Sequence, residues 1–324
     1  MPELTYADAL REALREEMLR DPRVVLMGEE IGVFEGVYKV TRGLLKEFGP
    51  ERVIDTPISE AAIAGAAIGA ALGGLKPVAE IMYMDFLPIA LDQIGTQAAK
   101  MHFMSGGKLK VPMVLRTQYS LGRVHGAQHS QFFPSVLFQV PGLKVVLPST
   151  PHDAKGLLKA AIRDENPVVF IESGVLYRAK GPVPDEEYLI PLGQCDVKKT
   201  GNDITIVAVS RVVTEALTAA AKLEEQGITA EIIDPRTIQP LGLATILESV
   251  KKTGRLIVAS DDVKSGGIGS EIAAAVVEEG FDYLDAPIVR VASPNMPIPF
   301  SPTLEQAYMP NAEKIVQAAK KLIG

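Results

Sequence analysis

The chain of 324 residues contains no tryptophan and only one cysteine, Cys195. A single cysteine excludes a disulfide within the chain and argues against a cysteine-based metal site, which is typical of a reducing compartment, so we expect a cytoplasmic protein. No apolar run reaches the about 20 residues that cross a bilayer, and the longest, Ala61 to Leu75, is flanked by charged residues. We therefore expect no membrane contact. No secretory signal is predicted either, because the first residues lack a basic segment followed by an apolar core.

Basic residues are also in the minority. The sequence has 33 Lys and Arg against 40 Asp and Glu, a formal net charge of −7. A nucleic-acid partner is not expected, since a phosphate-binding surface needs an excess of basic side chains. Hydrophobic residues make up 47% of the chain, enough for a globular protein with two buried cores.

Apolar strand-like segments alternate with helical patterns along the chain, which predicts an α/β fold with mostly parallel sheets covered by helices on both faces. We predict a first domain at residues 1–185, a charged and proline-bearing linker at 186–202, and a smaller second α/β domain at 203–324. In the first domain the predicted helices are Tyr6 to Arg20, Ser59 to Leu72 and His152 to Arg163. The predicted strands are Val24 to Met27, Pro77 to Tyr83, Val111 to Thr117, Leu143 to Ser149 and Pro167 to Ser173.

Glu60 stands at the head of a helix that consists almost wholly of small and aliphatic residues, in the segment DTPISEAAIAGAAIGAALGG. An acid in the first helical turn is favoured by the helix dipole, and this alone could explain it. A helix this apolar is buried on most of its surface, however, so the carboxyl could also be poised for proton transfer in a dry site. From the residues alone, both interpretations stay open.

A second candidate locus is GRVHGAQHSQ, Gly122 to Gln131, which carries His125 and His129. Histidines in a glycine-containing loop between strands are a common source of acid-base catalysis. The alternative is a pair of loop histidines bonded to backbone. A zinc pair is not favoured, because Gly126 makes a helix improbable there and no acidic ligand is near.

Seven segments, in order and over essentially the whole chain, carry a resemblance to a known family. They are GEEIG, GVYKVTRGLLKEFGPERVIDTPISEAAIAGAAIGAALGGLKPVAEIM, AAKMHFMSGG, GAQHSQ, PGLKVV, DAKGLLKAAIRDENPVVF and LDAPIVRV. Together they resemble the β subunit of thiamine-diphosphate-dependent 2-oxo acid dehydrogenases, the decarboxylating first component of the pyruvate, branched-chain and acetoin dehydrogenase complexes. The resemblance implies a transketolase-like pyrimidine-binding domain followed by a transketolase-like carboxy-terminal domain for subunit contact and complex docking.

The resemblance also implies roles for residues around Glu60. Glu60 matches the glutamate that bonds a pyrimidine nitrogen of thiamine diphosphate and activates the cofactor. By the same resemblance, the pyrimidine site is lined by Ile58, Ser59, Met82 and Phe86. Glu29 matches an acid on the path that connects two cofactor sites, although it could also be a plain charged strand end.

Two further matches concern the histidine locus and a cation. His129 matches the histidine of the family's mobile active-site loop, which helps to hold substrate and the lipoyl group, whereas His125 matches no assigned residue. The segment AAIRDEN resembles the family's structural potassium site. Its ligands would be the carbonyls of Met113, Ala161 and Ile162 together with Asp164 and Asn166. A simple helix end followed by an Asn-Pro turn explains the same segment equally well.

The chain lacks the Gly-Asp-Gly segment and later asparagine that hold the diphosphate and Mg²⁺ in thiamine enzymes. The resemblance therefore implies a separate α subunit that holds the diphosphate and Mg²⁺, in an α₂β₂ heterotetramer that acts with a dihydrolipoyl acyltransferase core and its lipoyl domain. Pyruvate-type 2-oxo acids or acetoin are the expected substrates, with a branched-chain 2-oxo acid as the alternative. A single-chain transketolase-like enzyme is disfavoured by the missing motif, and a catalytically silent scaffold stays open.

Overall fold

The computed structural model describes all 324 residues and divides them into two compact units. Unit 1 comprises Met1–Ser120 and Val136–Leu192, and unit 2 comprises Leu121–Ser135 and Gly193–Gly324. Residues 121–135, which we call the histidine loop, thus belong to the second unit although they precede most of it in the chain.

The segment expected as a linker, 186–202, is ordered and divided between the units at Leu192. Its first part packs on unit 1, where Ile190 is buried and the Tyr188 hydroxyl donates a 2.8 Å hydrogen bond to the His152 carbonyl. Its second part contains a strand, Asp196–Lys199, that pairs within unit 2. Charged and proline-bearing composition suggested a linker, but backbone pairing, the buried Ile190 and the Tyr188 hydrogen bond give the segment fixed partners.

Unit 1 contains a mostly parallel sheet with helices beside it. The strands of unit 1 are β1 (Glu3–Thr5), β2 (Val24–Gly28), β3 (Val53–Asp55), β4 (Lys76–Ile81), β5 (Val114–Tyr119), β6 (Lys144–Val146), β7 (Val168–Ser173) and β8 (Lys180–Pro182). Strands β1 and β8 form a separate antiparallel pair. The helices of unit 1 are α1 (Tyr6–Arg20), α2 (Leu44–Phe48), α3 (Glu60–Leu72), α4 (Ala99–Met104), α5 (Ser135–Phe138) and α6 (Pro151–Arg163). A 3₁₀ segment, Met84–Ala90, and a π-helical segment, Asp92–Ala98, lead into α4.

The central strands of unit 1 lie in the order β6-β7-β5-β4-β2-β3 and are parallel to one another. The register pairs Gly28 with both Asp55 and Glu80, and Glu80 with Arg116. Because parallel strands end at the same edge, the residues that follow β2, β3 and β4 come together there.

Helices α1 and α6 show how the local sequence determines the elements of unit 1. The Thr5 and Thr150 hydroxyls accept the first free N–H groups of α1 and α6, the usual role of threonine at a helix start. The two helices face each other with Leu10 and Leu14 against Leu157 and similar residues in one buried cluster.

Unit 2 has its own sheet and core. Its strands are β9 (Asp196–Lys199), β10 (Ile204–Ala208), β11 (Ala230–Asp234), β12 (Thr237–Gln239), β13 (Leu256–Val263) and β14 (Val289–Ser293). Its helices are α7 (Val212–Glu224), α8 (Leu243–Thr253), α9 (Ile268–Gly280), α10 (Pro302–Tyr308) and α11 (Ala312–Ile323), with a short 3₁₀ turn at Phe281–Tyr283. Five strands lie in the order β14-β13-β10-β11-β9, and only β9 is antiparallel.

The predicted α/β class with mostly parallel sheets is confirmed in both units. The predicted helix Tyr6 to Arg20 has the same bounds in the structure, and α3 begins one residue after its predicted start. The 3₁₀ and π-helical residues between 84 and 98 were not predicted. No helix of the structure combines the length and apolarity that crossing a membrane requires.

Candidate active site

Acidic side chains meet at the carboxyl edge of the unit 1 sheet. Glu29 directly follows β2, and Glu80 is the next-to-last residue of β4, where it pairs with Gly28. Glu60 begins α3, five residues after Asp55 closes β3. Parallel pairing of β2 with β3 and β4 therefore converts three distant segments of sequence into one acidic edge.

Glu60 is 9% exposed, so its carboxyl lies at the border of the interior. It is the first residue of α3, and Ser59 before it makes no side-chain cap hydrogen bond. The helix dipole favours an acid at this position whatever its role. The interpretation of Glu60 as a poised carboxyl therefore remains a prediction, and burial is the observation that is consistent with it.

The half-buried Glu29 is in electrostatic reach of the other acids. Burial raises the pKa of Glu29, and the negative charges of Glu60, Glu30 and Glu80 raise it further. A proton on Glu29 is therefore held more tightly than on an isolated glutamate. A raised pKa is a property that acid-base sites often give their carboxyl groups.

Beneath this edge lies a buried cation, Arg116, which is 3% exposed. Its guanidinium donates to Glu172 through Nε (2.7 Å) and Nη2 (2.9 Å) and to Glu80 through Nη1 (2.6 Å). The Tyr177 hydroxyl donates a 2.8 Å bond to the same Glu172 carboxylate. Burial disfavours the cation, but Glu172 and Glu80 outweigh it and hold the pKa of Arg116 above its usual range.

Arg116 and Glu172 were not predicted as part of the site. The signal was visible, since each is a single charge inside an otherwise apolar strand segment, VPMVLRT and PVVFIES. Charged residues are almost never fully buried unless they are paired. What the sequence does not contain is the register, which places Arg116 beside Glu80 across two strands.

Aromatic side chains extend the network toward the residues predicted to line the pyrimidine. Tyr38 stacks on Tyr177 with ring centres 4.8 Å apart, and its hydroxyl donates a 2.9 Å bond to the Tyr83 hydroxyl. The Gln118 amide donates to the Tyr38 hydroxyl at 3.2 Å. Phe86 meets Tyr83 edge to face at 5.9 Å. The predicted Phe86 is thus held in place by a hydrogen-bonded tyrosine pair.

Apolar residues at this edge are unusually exposed. Ile58 is 76% exposed and Val33 is 84% exposed, whereas the predicted Met82 is half-buried. Val33 lies beside the Asp55 carboxylate, which accepts a 2.9 Å hydrogen bond from the Val33 N–H, and Ile58 follows Asp55 by three residues. Exposed apolar side chains beside a polar cluster are typical of a surface that binds a ligand or a partner.

The predicted His129 lies in the histidine loop, which belongs to unit 2. Its backbone N–H donates a long 3.4 Å bond to the Gly126 carbonyl. His125 is half-buried in the same loop, and burial, the Arg123 guanidinium and His129 together lower the pKa of His125 against the opposite effect of Glu305. A lowered pKa favours the neutral form of this imidazole.

The residues predicted to bind potassium lie close together where α6 ends and β7 begins. The carbonyls of Ala161 and Met113 each accept one backbone N–H bond, from Asp164 and Val168 respectively. Each of these carbonyls keeps a second lone pair for a cation.

The side chains of this segment have other partners. Lys144 Nζ donates to Asp164 Oδ2 at 2.5 Å, the Asn166 amide donates to Asp164 Oδ1 at 2.9 Å, and Lys76 Nζ donates to the Ile162 carbonyl at 3.3 Å. Burial raises the pKa of Asp164, but the hydrogen bonds from Lys144 and Asn166 outweigh it and hold the pKa below its usual value. The structure also contains no group of three or more His, Cys, Asp or Glu side chains that could hold a metal ion. The potassium site therefore stays a prediction that rests on backbone carbonyls.

Comparison with known proteins identifies both units. Residues 2–180 match the transketolase pyrimidine-binding domain, and residues 193–315 match the transketolase C-terminal domain. A solved structure described as a split-gene transketolase, inactive beta4 tetramer, superposes with a TM-score of 0.82 over 99% of this chain and 98% of that chain. At 23% identity this likeness shows the fold alone, and the fold is the predicted transketolase-like one.

Curated relatives match along nearly their whole length. The acetoin:2,6-dichlorophenolindophenol oxidoreductase subunit beta of Bacillus subtilis is 46% identical over 99% of this chain and 97% of that protein. The mitochondrial pyruvate dehydrogenase E1 component subunit beta-1 of Arabidopsis thaliana is 47% identical over 98% of this chain and 89% of its own length. The 2-oxoisovalerate dehydrogenase subunit beta of Bacillus subtilis is 46% identical over 99% of both. The chain therefore belongs to the family of pyruvate, acetoin and 2-oxoisovalerate dehydrogenase β subunits, which the sequence predicted.

Proposed function

We propose that this chain is the β subunit of a thiamine-diphosphate-dependent enzyme component that cleaves pyruvate-like 2-oxo acids or acetoin and passes the acyl group to lipoyl. The observation that carries the proposal is the buried Glu60 at the head of α3, within electrostatic reach of Glu29, in a chain that matches the family end to end. The enzyme requires an α subunit, with which we propose an α₂β₂ heterotetramer that docks on the dihydrolipoyl acyltransferase core.

The residues at this edge fit one half of the cofactor. Ile58, Met82 and Phe86 offer apolar and aromatic surface to a flat ring, and Glu60 and Ser59 offer oxygen atoms to its nitrogens. The nearby cation is already paired, because Arg116 donates to Glu80 and Glu172 and is 3% exposed, so it is not available to a diphosphate. This chain therefore supplies the pyrimidine half, and the diphosphate with Mg²⁺ belongs to the α subunit.

When bound, thiamine diphosphate supplies the carbon nucleophile and electron sink for breaking the bond next to the substrate carbonyl. Glu60 holds a proton against a pyrimidine nitrogen, and its burial strengthens that hydrogen bond. Glu29 is the neighbouring acid, and burial together with the charges of Glu60, Glu30 and Glu80 raises its pKa. His129, on the histidine loop, orients the substrate carbonyl and the lipoyl sulfur.

Glu60→Gln tests the proposal, because the amide keeps the size of the side chain but cannot exchange the proton. With the α subunit, thiamine diphosphate and Mg²⁺, we expect kcat to fall by at least about 100-fold, the scale of a lost general acid or base. The exposed Glu51→Gln serves as the matched control and should retain wild-type turnover. Unchanged turnover of Glu60→Gln would instead support a silent scaffold.

Two further measurements complete the proposal. The β chain alone with thiamine diphosphate and Mg²⁺ should show no decarboxylation, and measurable turnover would overturn the split site.

The curated relatives that act on pyruvate, acetoin and 2-oxoisovalerate are almost equally similar, at 46–47% identity. Steady-state rates with these three substrates therefore decide the specificity, and we expect pyruvate or acetoin to give the highest kcat/KM.

The potassium site is part of the same proposal. We propose that K⁺ binds the carbonyls of Met113, Ala161 and Ile162 beside Asp164 and Asn166, in a structural role. Replacing KCl by choline chloride at constant ionic strength should lower the melting temperature of the full chain. An unchanged melting temperature would contradict the proposed potassium site.

A further inference from the structure

The backbone of the histidine loop is held by one buried carboxylate. Glu305 Oε1 accepts a 3.1 Å bond from the Gly122 N–H, and Glu305 Oε2 accepts a 2.9 Å bond from the Val124 N–H. Glu305 lies on α10, about 180 residues further along the chain, and is 1% exposed. A carboxylate is rarely buried so completely unless its oxygens have strong donors, and both oxygens here have a donor from the same loop.

These two hydrogen bonds to Glu305, which we call the clamp, act where the loop backbone is strained. Val124 has φ +60°, a left-handed conformation that is a genuine outlier for a β-branched residue. Such a conformation persists only where surrounding contacts over-determine it, and the bond from the Val124 N–H to Glu305 is such a contact. Gly126, at φ +74°, packs so close to Phe300 that a Cβ there would lie 3.0 Å from the ring.

These two positive-φ residues enclose His125 and precede His129. The orientation of the His125 and His129 side chains therefore depends on a backbone conformation that Glu305 and Phe300 maintain. Glu305 is also the acid whose charge opposes the lowering of the pKa of His125 by burial, Arg123 and His129. One buried side chain thus affects the geometry and the electrostatics of the loop together.

We propose that Glu305 is a positioning residue of the reaction: it clamps Gly122 and Val124 and so directs His129 toward the acyl acceptor. The inference rests on the role of His129 in the proposed function. It adds a residue from α10, which contacts neither cofactor nor substrate in this argument and acts through the loop alone.

The test is a double-mutant cycle in the reconstituted α and β enzyme with a lipoyl domain as acceptor. The variants are Glu305→Gln, His129→Ala and both together, and the exposed Glu279→Gln is the matched control. We expect Glu305→Gln to lower kcat/KM for the lipoyl domain at least tenfold, with most of the loss in KM. We expect the double variant to be no slower than His129→Ala, because the clamp acts through that residue.

Hydrogen exchange separates a failure of this inference from a failure of the proposed function. Exchange of the Gly122 and Val124 amides should become at least tenfold faster in Glu305→Gln than in Glu279→Gln, whatever the role of His129. Equal exchange rates would overturn the clamp, and so would multiplicative losses in the double variant. If His129→Ala keeps full activity while the amides exchange faster, the assignment of His129 fails and the positioning role fails with it.

Discussion

The acidic edge of unit 1 and the histidine loop of unit 2 hold their candidate site residues by different means. Glu80 and Arg116 lie within strands, so the parallel register determines their separation and Glu172 completes a buried ion pair. His125 and His129 lie on a loop with left-handed residues, and the side chain of Glu305 supplies the long-range backbone contact at its root. A sheet thus gives a site its rigidity through many backbone bonds, whereas a loop depends on few.

The largest effect that would test this comparison comes from Arg116→Met, which removes the buried cation of unit 1. Two buried carboxylates, Glu80 and Glu172, would then lack their counter-charge, and we expect the free energy of unfolding to fall by about 3–5 kcal/mol. Urea denaturation of the full chain measures this loss. The exposed Arg178→Met is the matched control, with an expected change below about 0.5 kcal/mol. A loss of the control's size for Arg116→Met would mean that the ion pair does not stabilise the edge.

Unit 2 offers the opposite case, a buried acid without a cation partner. Asp262 is 2% exposed, and burial followed by the charge of Asp261 raises its pKa to about 6, against hydrogen bonds from Ser260 and the Ile268 N–H. Because the folded pKa is above the unfolded value of 3.8, the folded state binds more protons between these two pH values. The contribution of Asp262 to stability is therefore full below about pH 4 and is lost as pH rises through 6.

This pH dependence of the contribution of Asp262 to stability gives a measurable prediction for Asp262→Asn. The free energy of unfolding of the variant minus that of the wild type should increase by at most about 3 kcal/mol from pH 4 to pH 7, since each pKa unit corresponds to about 1.4 kcal/mol. Chemical denaturation at several pH values measures the difference. The exposed Asp282→Asn should give a difference that stays flat, and a flat result for Asp262→Asn would contradict the raised pKa.

The smallest expected effect concerns Asp55, a clamp in unit 1 that resembles that of Glu305. Asp55 accepts from the Gly32 N–H at 2.6 Å and from the Val33 N–H at 2.9 Å, but its carboxylate is exposed. Asp55→Ala should lower the free energy of unfolding by about 1 kcal/mol, because water replaces an exposed acceptor at modest cost. Urea denaturation beside the control Glu51→Ala checks this, and a loss as large as that of Arg116→Met would mean that exposure does not weaken the contribution of Asp55 to stability.

The sequence predicted the main elements because their signals are local. Helix Tyr6–Arg20 has its periodicity and its Thr5 cap, and the apolar runs of β4, β5 and β7 read as buried strands. The edge strand Asp196–Lys199 was not recognised, since its charged sequence carries no apolar signal and its pairing is with a distant strand. The irregular helical residues 84–98 were also missed, because a proline at position 88 and small residues give them no regular period.

The residues of the candidate sites also fall into those that the sequence predicted and those that it did not. Glu60 and His129 were chosen from their segments, and their roles remain predictions. Arg116, Glu172 and Glu305 were not chosen, because each is one charged residue in an ordinary segment and its meaning lies in partners 36, 56 and about 180 residues away.

The sequence by itself determined the fold class, the family and the absence of a diphosphate-binding motif, because periodicity, composition and motifs are written along the chain. Only the tertiary structure decided which charges are buried, which acids meet at one sheet edge and which carboxylate clamps the histidine loop. The physical reason is that burial and pairing arise between residues that are distant in sequence, through the register of parallel strands and the packing of α10 on the loop.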